Sequence, residues 1–196
     1  MRSAVLIVGG GPVGSTLALD LAWRGIDVIV AEQNPRGQMP GVKCNHVAAR
    51  TMEIFRRLGV AEIVRNKGLP ADHANDVAFR TSAVGADFAR IPIPCRRDRY
   101  TFKDGPDGHW PTPEPPHRIN QIYLDPLLAE AAASRPKVRF LWQTRVLGFT
   151  PNRRGGRRRC RKSGDRGSLF HRLRIPDRLR RPVVDGPPGD RCPVDR

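Results

Sequence analysis

The chain has 196 residues, of which 39% are hydrophobic, and 35 Lys+Arg against 19 Asp+Glu give it a formal net charge of +16. This length suits one domain or slightly more. No apolar segment is long enough to cross a membrane, so we expect a cytoplasmic protein with no membrane partner. The four cysteines lie far apart and lack a C-x-x-C or zinc-like histidine spacing, which argues against a metal site and favours reduced thiols.

The positive charge is concentrated at one end of the chain. Residues 153–196 hold 15 of the Lys+Arg residues but only 5 of the Asp+Glu residues, together with six glycines and five prolines. Too few apolar residues remain there to offset the entropy of ordering the chain. We therefore expect a folded part over residues 1–152 and a disordered basic tail over residues 153–196.

A strand, a glycine-rich turn and a helix follow one another at the N-terminus. Residues 4–8 are apolar and predict a buried strand, and Gly9, Gly11 and Gly14 then occupy the three positions of G-x-G-x-x-G. Gly9 allows a tight turn, Gly11 lets a diphosphate approach the backbone, and Gly14 lets helix and strand pack closely. The helix N-terminus attracts the diphosphate, so the predicted contacts include Pro12 with the three glycines.

The second predicted strand, residues 27–32, ends in Glu32, whose carboxylate can accept hydrogen bonds from both ribose hydroxyls. An acid at this place disfavours a 2′-phosphate, so NADP is not the expected ligand of this site. The strand, the helix and the acid distinguish this motif from a merely glycine-rich turn. We interpret it as a Rossmann-like dinucleotide-binding unit.

The rest of the folded part predicts a mixture of helices and strands. A proline-rich stretch over residues 92–117 is poor in regular structure, and its P-x-x-P reads as a surface crossing rather than a recognition motif. Asp125 can cap a helix that has Pro126 in its first turn. The predicted helices are 47–58, 61–67 and 125–133, and the predicted strands are 77–81 and 87–91 of a smaller sheet, then 138–141 and 145–149.

Two further segments make the sequence resemble the class A FAD-dependent aromatic hydroxylases, the group of para-hydroxybenzoate hydroxylase. One is Arg50-Thr51-Met52-Glu53-Ile54 before Leu58-Gly59, and the other is Arg118-Ile119-Asn120-Gln121-Ile122-Tyr123-Leu124-Asp125-Pro126-Leu127-Leu128. With the glycine motif they cover residues 1 to about 150. The resemblance implies an α/β fold: a Rossmann-like FAD/NAD(P)-binding domain with a small β-sheet insertion.

The resemblance also implies which residues hold the cofactor. The glycines would bind the FAD diphosphate, Glu32 the adenosine ribose, and Gln121 would contact the cofactor as well. Lys43 stands where the family has an arginine, about seven residues before Arg50; lysine keeps the charge but loses the forked geometry. The alternative for Lys43 and Arg50 is an ordinary solvated helix face.

Such enzymes hydroxylate a small aromatic substrate with NAD(P)H and O2. The sequence does not specify the substrate, the choice of NADH or NADPH, or the oligomeric state, and it identifies no catalytic residue. His46, His73, His109 and His117 are candidates only because they titrate near neutrality, and each suits a surface or structural role.

The resemblance stops near Asn152. The family has two further FAD motifs, containing Asp-Gly and Gly-Asp, and neither has a credible counterpart here, so we expect an incomplete domain that binds FAD poorly and hydroxylates nothing. A frameshift in the gene accounts for the tail, because residues 174–184, back-translated and read one nucleotide later, permit Tyr-Leu-Ile-Gly-Cys-Asp-Gly-Arg-Ser. The alternatives are a non-catalytic dinucleotide-binding module, or a natural tail that binds RNA despite having a single aromatic residue, Phe170.

Overall fold

The computed structural model describes residues 3–38, 41, 43–102, 108–152, 155–162 and 169–174. These residues form both helices and strands, as the sequence predicts. The helices are α1 (Pro12–Trp23), α2 (Ala49–Arg57), α3 (Ala61–Asn66) and α4 (Gln121–Ala133). The strands are β1 (Val5–Val8), β2 (Val28–Ala31), β3 (His46–Val47), β4 (Val77–Arg80), β5 (Asp87–Ile91), β6 (His117–Arg118), β7 (Val138–Leu141), β8 (Thr144–Asn152), β9 (Gly155–Lys162) and β10 (Leu169–Arg174).

A parallel sheet in the order β1-β2-β7 forms the centre of the fold. Val8 pairs with Ala31, and Ala31 pairs with Leu141, so the carboxyl ends of all three strands lie at one edge. Every residue of β2 is buried, as expected for the middle strand of a parallel sheet covered by helices. Ligands of open α/β sheets bind outside this carboxyl edge.

Helices α1 and α4 pack against each other and against the sheet. Apolar residues from the central strands and all four helices form one core, to which the segment before α4 also contributes. The residues of this core include Leu19, Val28, Val30, Met52, Phe55, Val64, Ile119, Leu128 and Ala132. This shared core fixes the start of α1 and the start of α4 relative to the carboxyl edge of the sheet.

The small β-sheet insertion is confirmed as the antiparallel hairpin β4–β5. Both strands are exposed along their whole length, and Phe79 and Phe88 face each other with ring centroids 6.3 Å apart. A second small sheet pairs β3 with β6, where Val47 lies opposite His117.

Helix α4 begins four residues earlier than the Asp125 cap predicts. The side chain of Asn120 accepts a hydrogen bond from the Ile122 N–H at 3.0 Å and is the N-cap, so Asp125 and Pro126 lie inside the helix. An asparagine carbonyl satisfies a first-turn N–H as well as a carboxylate does. Helix α2, by contrast, begins later than predicted, at Ala49, because His46 and Val47 belong to strand β3.

Part of the basic tail also differs from the expectation of disorder. Strands β9 and β10 extend β8 into a three-stranded antiparallel sheet, with Asn152 paired to Gly155 and Leu169 to Cys160. A strand added to an existing edge satisfies its backbone hydrogen bonds without an apolar core of its own, so a count of apolar residues misses it. Residues 153–154, 163–168 and 175–196 lie outside the described residues.

Among the residues that the structure describes, no helix combines the length and the apolar character needed to span a membrane.

Candidate functional site

The glycine turn connects β1 to α1 at the carboxyl edge of the central sheet. The Gly9 N–H donates to the Ala31 carbonyl at 2.8 Å, and Gly9 has a φ of +99°, a conformation that side chains disfavour. A Cβ on Gly14 would lie 2.0 Å from the Gly9 carbonyl oxygen, so only glycine lets the helix approach the turn this closely. The roles predicted for these two glycines in the fold agree with this geometry.

Glu32 closes the turn from the neighbouring strand. One carboxylate oxygen accepts from the Gly10 N–H at 2.6 Å and the other from the Asn34 N–H at 2.8 Å. The backbone of Glu32 is held as well, by hydrogen bonds to Leu141 and Thr144. The carboxylate is therefore fixed beside the glycines, and its remaining lone pairs are available to a ligand.

The N-terminus of α1 is left without a side-chain cap. Gly11 is its N-cap residue and Pro12 takes the first helical position, which needs no N–H donor. The first-turn N–H groups have no partner within the helix and carry its partial positive charge. A Cβ on Gly11 would meet no protein atom within 4 Å, so the space beside this glycine is open to a ligand.

Gln121 and Asp125 project from successive turns of α4 toward this region. The Gln121 amide donates to Asp125 Oδ2 at 3.0 Å, while Asp125 Oδ1 is buried without a hydrogen-bond partner within the described structure. Burial raises the pKa of Asp125, and the hydrogen bond from Gln121 and the charge of Lys43 oppose that rise. A buried acceptor without a partner points to a donor group supplied by a ligand or by water.

Two hollows flank the uncapped end of α1. The first, which we call the Glu32 hollow, has a volume of about 250 Å³ and includes Gly10, Gly11, Glu32, Lys43 and Asp125. The second, the α1 groove, has a volume of about 670 Å³ and lies between α1, α2 and the start of α4. Pro12 and Gln121 line the α1 groove. An elongated ligand that crosses the helix N-terminus would contact both.

The structure brings most of the predicted cofactor residues together but leaves Arg50 apart. Gly11, Glu32 and Lys43 line the Glu32 hollow, and Pro12 and Gln121 line the α1 groove. Arg50 lies on an exposed face of α2, forms an ion pair with Glu53 and lines neither hollow.

The four histidines that the sequence offers as candidates do not form a common site. His46 lines the α1 groove, whereas His109 is exposed, and His73 and His117 border a separate small cavity. Within the described residues no group of three or more His, Cys, Asp or Glu side chains could hold a metal ion.

Three residues contribute to the site although the sequence did not predict it: Gly10, Ser15 and Asp125. A Cβ on Gly10 would lie 3.0 Å from the Phe140 ring, and the Ser15 hydroxyl, fully buried, donates to the Gly10 carbonyl at 2.8 Å. The unbroken Gly9-Gly10-Gly11 run was the available signal for Gly10. Asp125 belongs to the segment 118–128 that carries the family resemblance, but it was assigned only as a cap. For Ser15 no signal was available, because it acts through a partner that the fold brings near.

The arrangement fits the adenosine-diphosphate half of a dinucleotide: an open glycine backbone, a free helix N-terminus, a fixed carboxylate and a buried acceptor without a partner. The family model described as FAD binding domain matches residues 2–169. The chain belongs to this FAD-binding domain family. The match extends past residue 152, where composition places the end of the folded part.

The proteins that resemble this chain include monooxygenases, one of which is named as FAD-dependent. The chain is 34% identical over 149 residues to the FAD-dependent monooxygenase apdD of Emericella nidulans, covering 74% of this chain and 23% of that protein. It is 28% identical over 160 residues to phenol 2-monooxygenase of Pseudomonas sp., covering 79% of this chain and 24% of that protein. A structure of the rebeccamycin biosynthetic enzyme RebC with reduced flavin matches with a TM-score of 0.75 at 35% identity, over 89% of this chain and 31% of RebC. The chain thus spans between about a quarter and a third of the length of these relatives.

Proposed function

We propose that this chain forms the adenosine-diphosphate end of the cofactor site of an FAD-dependent monooxygenase that hydroxylates a small aromatic substrate. The observation that carries the proposal is the open backbone at Gly11 beside the fixed carboxylate of Glu32. The glycine motif alone occurs in many dinucleotide-binding folds, whereas family membership narrows the cofactor to FAD.

Each residue of the site has a distinct part in this proposal. The first-turn N–H groups of α1 face the diphosphate, and Glu32 accepts from the adenosine ribose. Gln121 donates its amide N–H to Asp125, which leaves its carbonyl oxygen as an acceptor toward the cofactor. Lys43, next to Asp125 in the Glu32 hollow, supplies positive charge near the diphosphate. For Arg50 we propose at most a long-range electrostatic contribution.

When bound, FAD supplies the redox chemistry, and the protein's task is to hold and orient it and to exclude water. The phenolic substrate class follows from the names of two relatives, phenol 2-monooxygenase and 2,4-dichlorophenol 6-monooxygenase. NAD(P)H as the reductant and a cytoplasmic location belong to the same proposal, as does the absence of a nucleic-acid partner.

We further propose that the 196-residue chain is incomplete as an oxygenase. The described residues at the two hollows suit the adenosine and diphosphate, and the motifs that the resemblance assigns to the ribityl chain and flavin ring have no counterpart in the sequence. Catalysis requires the ring to be fixed and shielded from water. We attribute the basic composition of residues 153–196 to a shift of reading frame.

The experiment is a titration of the purified chain with ADP, FMN and FAD, followed by calorimetry or fluorescence. We expect ADP and FAD to bind weakly and within about tenfold of each other, and FMN not to bind, because the contacts lie on the adenosine side. Failure of ADP to bind would contradict the site itself. Stoichiometric FAD binding, with NAD(P)H oxidation that depends on a phenol, would contradict incompleteness but not the family. A full-length chain restored to the shifted reading frame should recover both stoichiometric FAD binding and phenol-dependent oxidation of NAD(P)H.

A further inference from the structure

Two peptides of the turn before α1 have a glycine on both sides, Gly9–Gly10 and Gly10–Gly11, so no Cβ limits their rotation. The first is held by its own N–H, because the Gly10 N–H donates to the Glu32 carboxylate at 2.6 Å. The second is followed by Pro12, which has no N–H to anchor the chain. The orientation of the Gly10–Gly11 peptide therefore depends on what holds its carbonyl.

Ser15 holds this second peptide from inside the fold. Its hydroxyl donates to the Gly10 carbonyl at 2.8 Å, and its backbone N–H donates to the Gly11 carbonyl at 2.9 Å. Among the described residues no backbone N–H donates to the Gly10 carbonyl, so the Ser15 hydroxyl is the group that fixes it. Ser15 is fully buried and lines neither the Glu32 hollow nor the α1 groove, so it acts on a ligand only through the turn.

The neighbouring hydroxyl shows the usual alternative for such a side chain. The Thr16 hydroxyl donates to the Pro12 carbonyl at 2.6 Å, one turn back within the same helix. The Ser15 hydroxyl instead reaches five residues back, past the start of α1, to the Gly10 carbonyl of the turn. Its hydrogen bond therefore connects the helix to the turn, whereas that of Thr16 stays within the helix.

The hold on the Gly10 carbonyl also sets the direction of the Gly11 N–H. In a trans peptide the C=O and the N–H point to opposite sides, and no peptide of the described chain is cis. Because the Gly10 carbonyl is turned toward Ser15, the Gly11 N–H points away from Ser15. This N–H has no acceptor among the described residues, and Gly11 lines the Glu32 hollow with open space beside it.

We propose, on the basis of the function proposed above, that Ser15 is a positioning residue that keeps the Gly11 N–H directed at the diphosphate. Without the hydroxyl, the peptide between the two glycines is free to turn, and the donor has to be ordered when the ligand binds. That ordering is a cost of binding that Ser15 removes in advance. Ser15 therefore contributes to the affinity for the diphosphate and not to the affinity for adenosine.

The test compares ADP with adenosine as ligands of the purified chain, by ligand-observed NMR, which measures weak binding. Ser15→Ala should weaken ADP binding by about tenfold, because the charged diphosphate loses a fixed donor, and adenosine binding by less than about twofold. Ser3→Ala is the matched control. Ser3 is also a buried serine, and its hydroxyl donates to the Asp27 carbonyl at 2.7 Å, but it lines neither hollow. The control should leave the ratio of the ADP and adenosine affinities unchanged.

A second measurement follows the peptide itself, through the amide-proton NMR signal of Gly11. Saturating ADP should move this signal downfield in the parent chain and much less in Ser15→Ala. Ser15→Cys, which places a weaker donor in the same buried space, should give an intermediate shift and an intermediate affinity ratio.

The outcomes separate the role of Ser15 from the site that it supports. A ratio of ADP to adenosine affinity in Ser15→Ala equal to that of the parent, or an equal downfield shift of the Gly11 signal, would overturn the role of Ser15 and leave the ADP site in place. A parent chain that binds no ADP would instead refute the proposed function, and the role of Ser15 with it.

Discussion

Gly11 and Gly14 belong to the same motif but face different neighbours. The Gly14 Cα faces the Gly9 carbonyl, which is backbone and cannot move aside, whereas Gly11 faces open space and has an ordinary φ of −68°. One glycine is therefore required by the fold and the other by the ligand. The motif alone does not make this distinction, because it depends on which atoms lie opposite each Cα.

Replacing Gly14 by alanine should destabilise the protein by about 1–3 kcal/mol, the usual cost of overpacking, reduced by the better helix propensity of alanine. Gly11→Ala should leave the free energy of unfolding within about 0.5 kcal/mol but weaken ADP binding, since the methyl group occupies the ligand's space. Urea denaturation and ADP titration measure the two effects. Equal stability of the two variants would contradict the assigned roles.

His117 should make folding stability depend on pH. Its pKa in the folded protein, about 4, lies below the ordinary histidine value, so the stabilisation from the neutral ring is complete above about pH 6.5 and is lost as the pH falls toward 4. The loss should be on the order of 2 kcal/mol, and His117→Phe should flatten it. His109→Phe, at an exposed histidine, is the control. An unchanged acid limb in His117→Phe would refute the prediction.

At the scale of elements, α4 connects the two hollows. Its first residue, Gln121, lines the α1 groove, and one turn later Asp125 lines the Glu32 hollow. The Gln121 N–H also donates to the Cys44 carbonyl at 2.8 Å, which ties the helix start to the segment before β3. The position of the helix start therefore controls both ends of the site.

Asn120→Ala should cost about 1 kcal/mol of stability, because the Ile122 N–H loses its acceptor. It should also weaken ADP binding, because the first turn that carries Gln121 would fray. Asn120→Asp keeps an acceptor at the cap and is the matched control. Urea midpoints together with ADP titrations test both statements, and an alanine variant as stable as the parent would show that Asn120 does not determine where α4 starts.

At the scale of the whole molecule, the net charge of the chain changes sharply at residue 152, whereas strand pairing continues past that residue. Net positive charge is concentrated after residue 152, yet β9 pairs with β8 and β10 pairs with β9, and the family match continues to residue 169. Backbone pairing depends little on which side chains are present, so strands can form in a segment whose composition contributes nothing to a core.

We expect limited trypsin digestion to cleave after residue 152 before it cleaves the core. The tail offers many Lys and Arg sites and few apolar residues, whereas the central strands and the four helices before it share one core. Mass spectrometry of early fragments identifies the cuts. ADP protection provides an internal control, because it should slow cleavage at Lys43, which lines the Glu32 hollow, but not in the tail. A tail as resistant as the core would contradict the division at residue 152.

The sequence by itself determined the central α/β unit and the position of its ligand edge. Apolar runs of strand length, glycines at fixed spacing and Glu32 at a strand end are local signals, and local signals are read directly from residue order. Only the tertiary structure decided the start of α4, the separation of Arg50 from the hollows, the role of Asp125, and the burial of His117. Each of these depends on groups distant in sequence becoming neighbours. Their hydrogen bonds, burial and pKa values are set by that proximity, which no periodicity in the chain encodes.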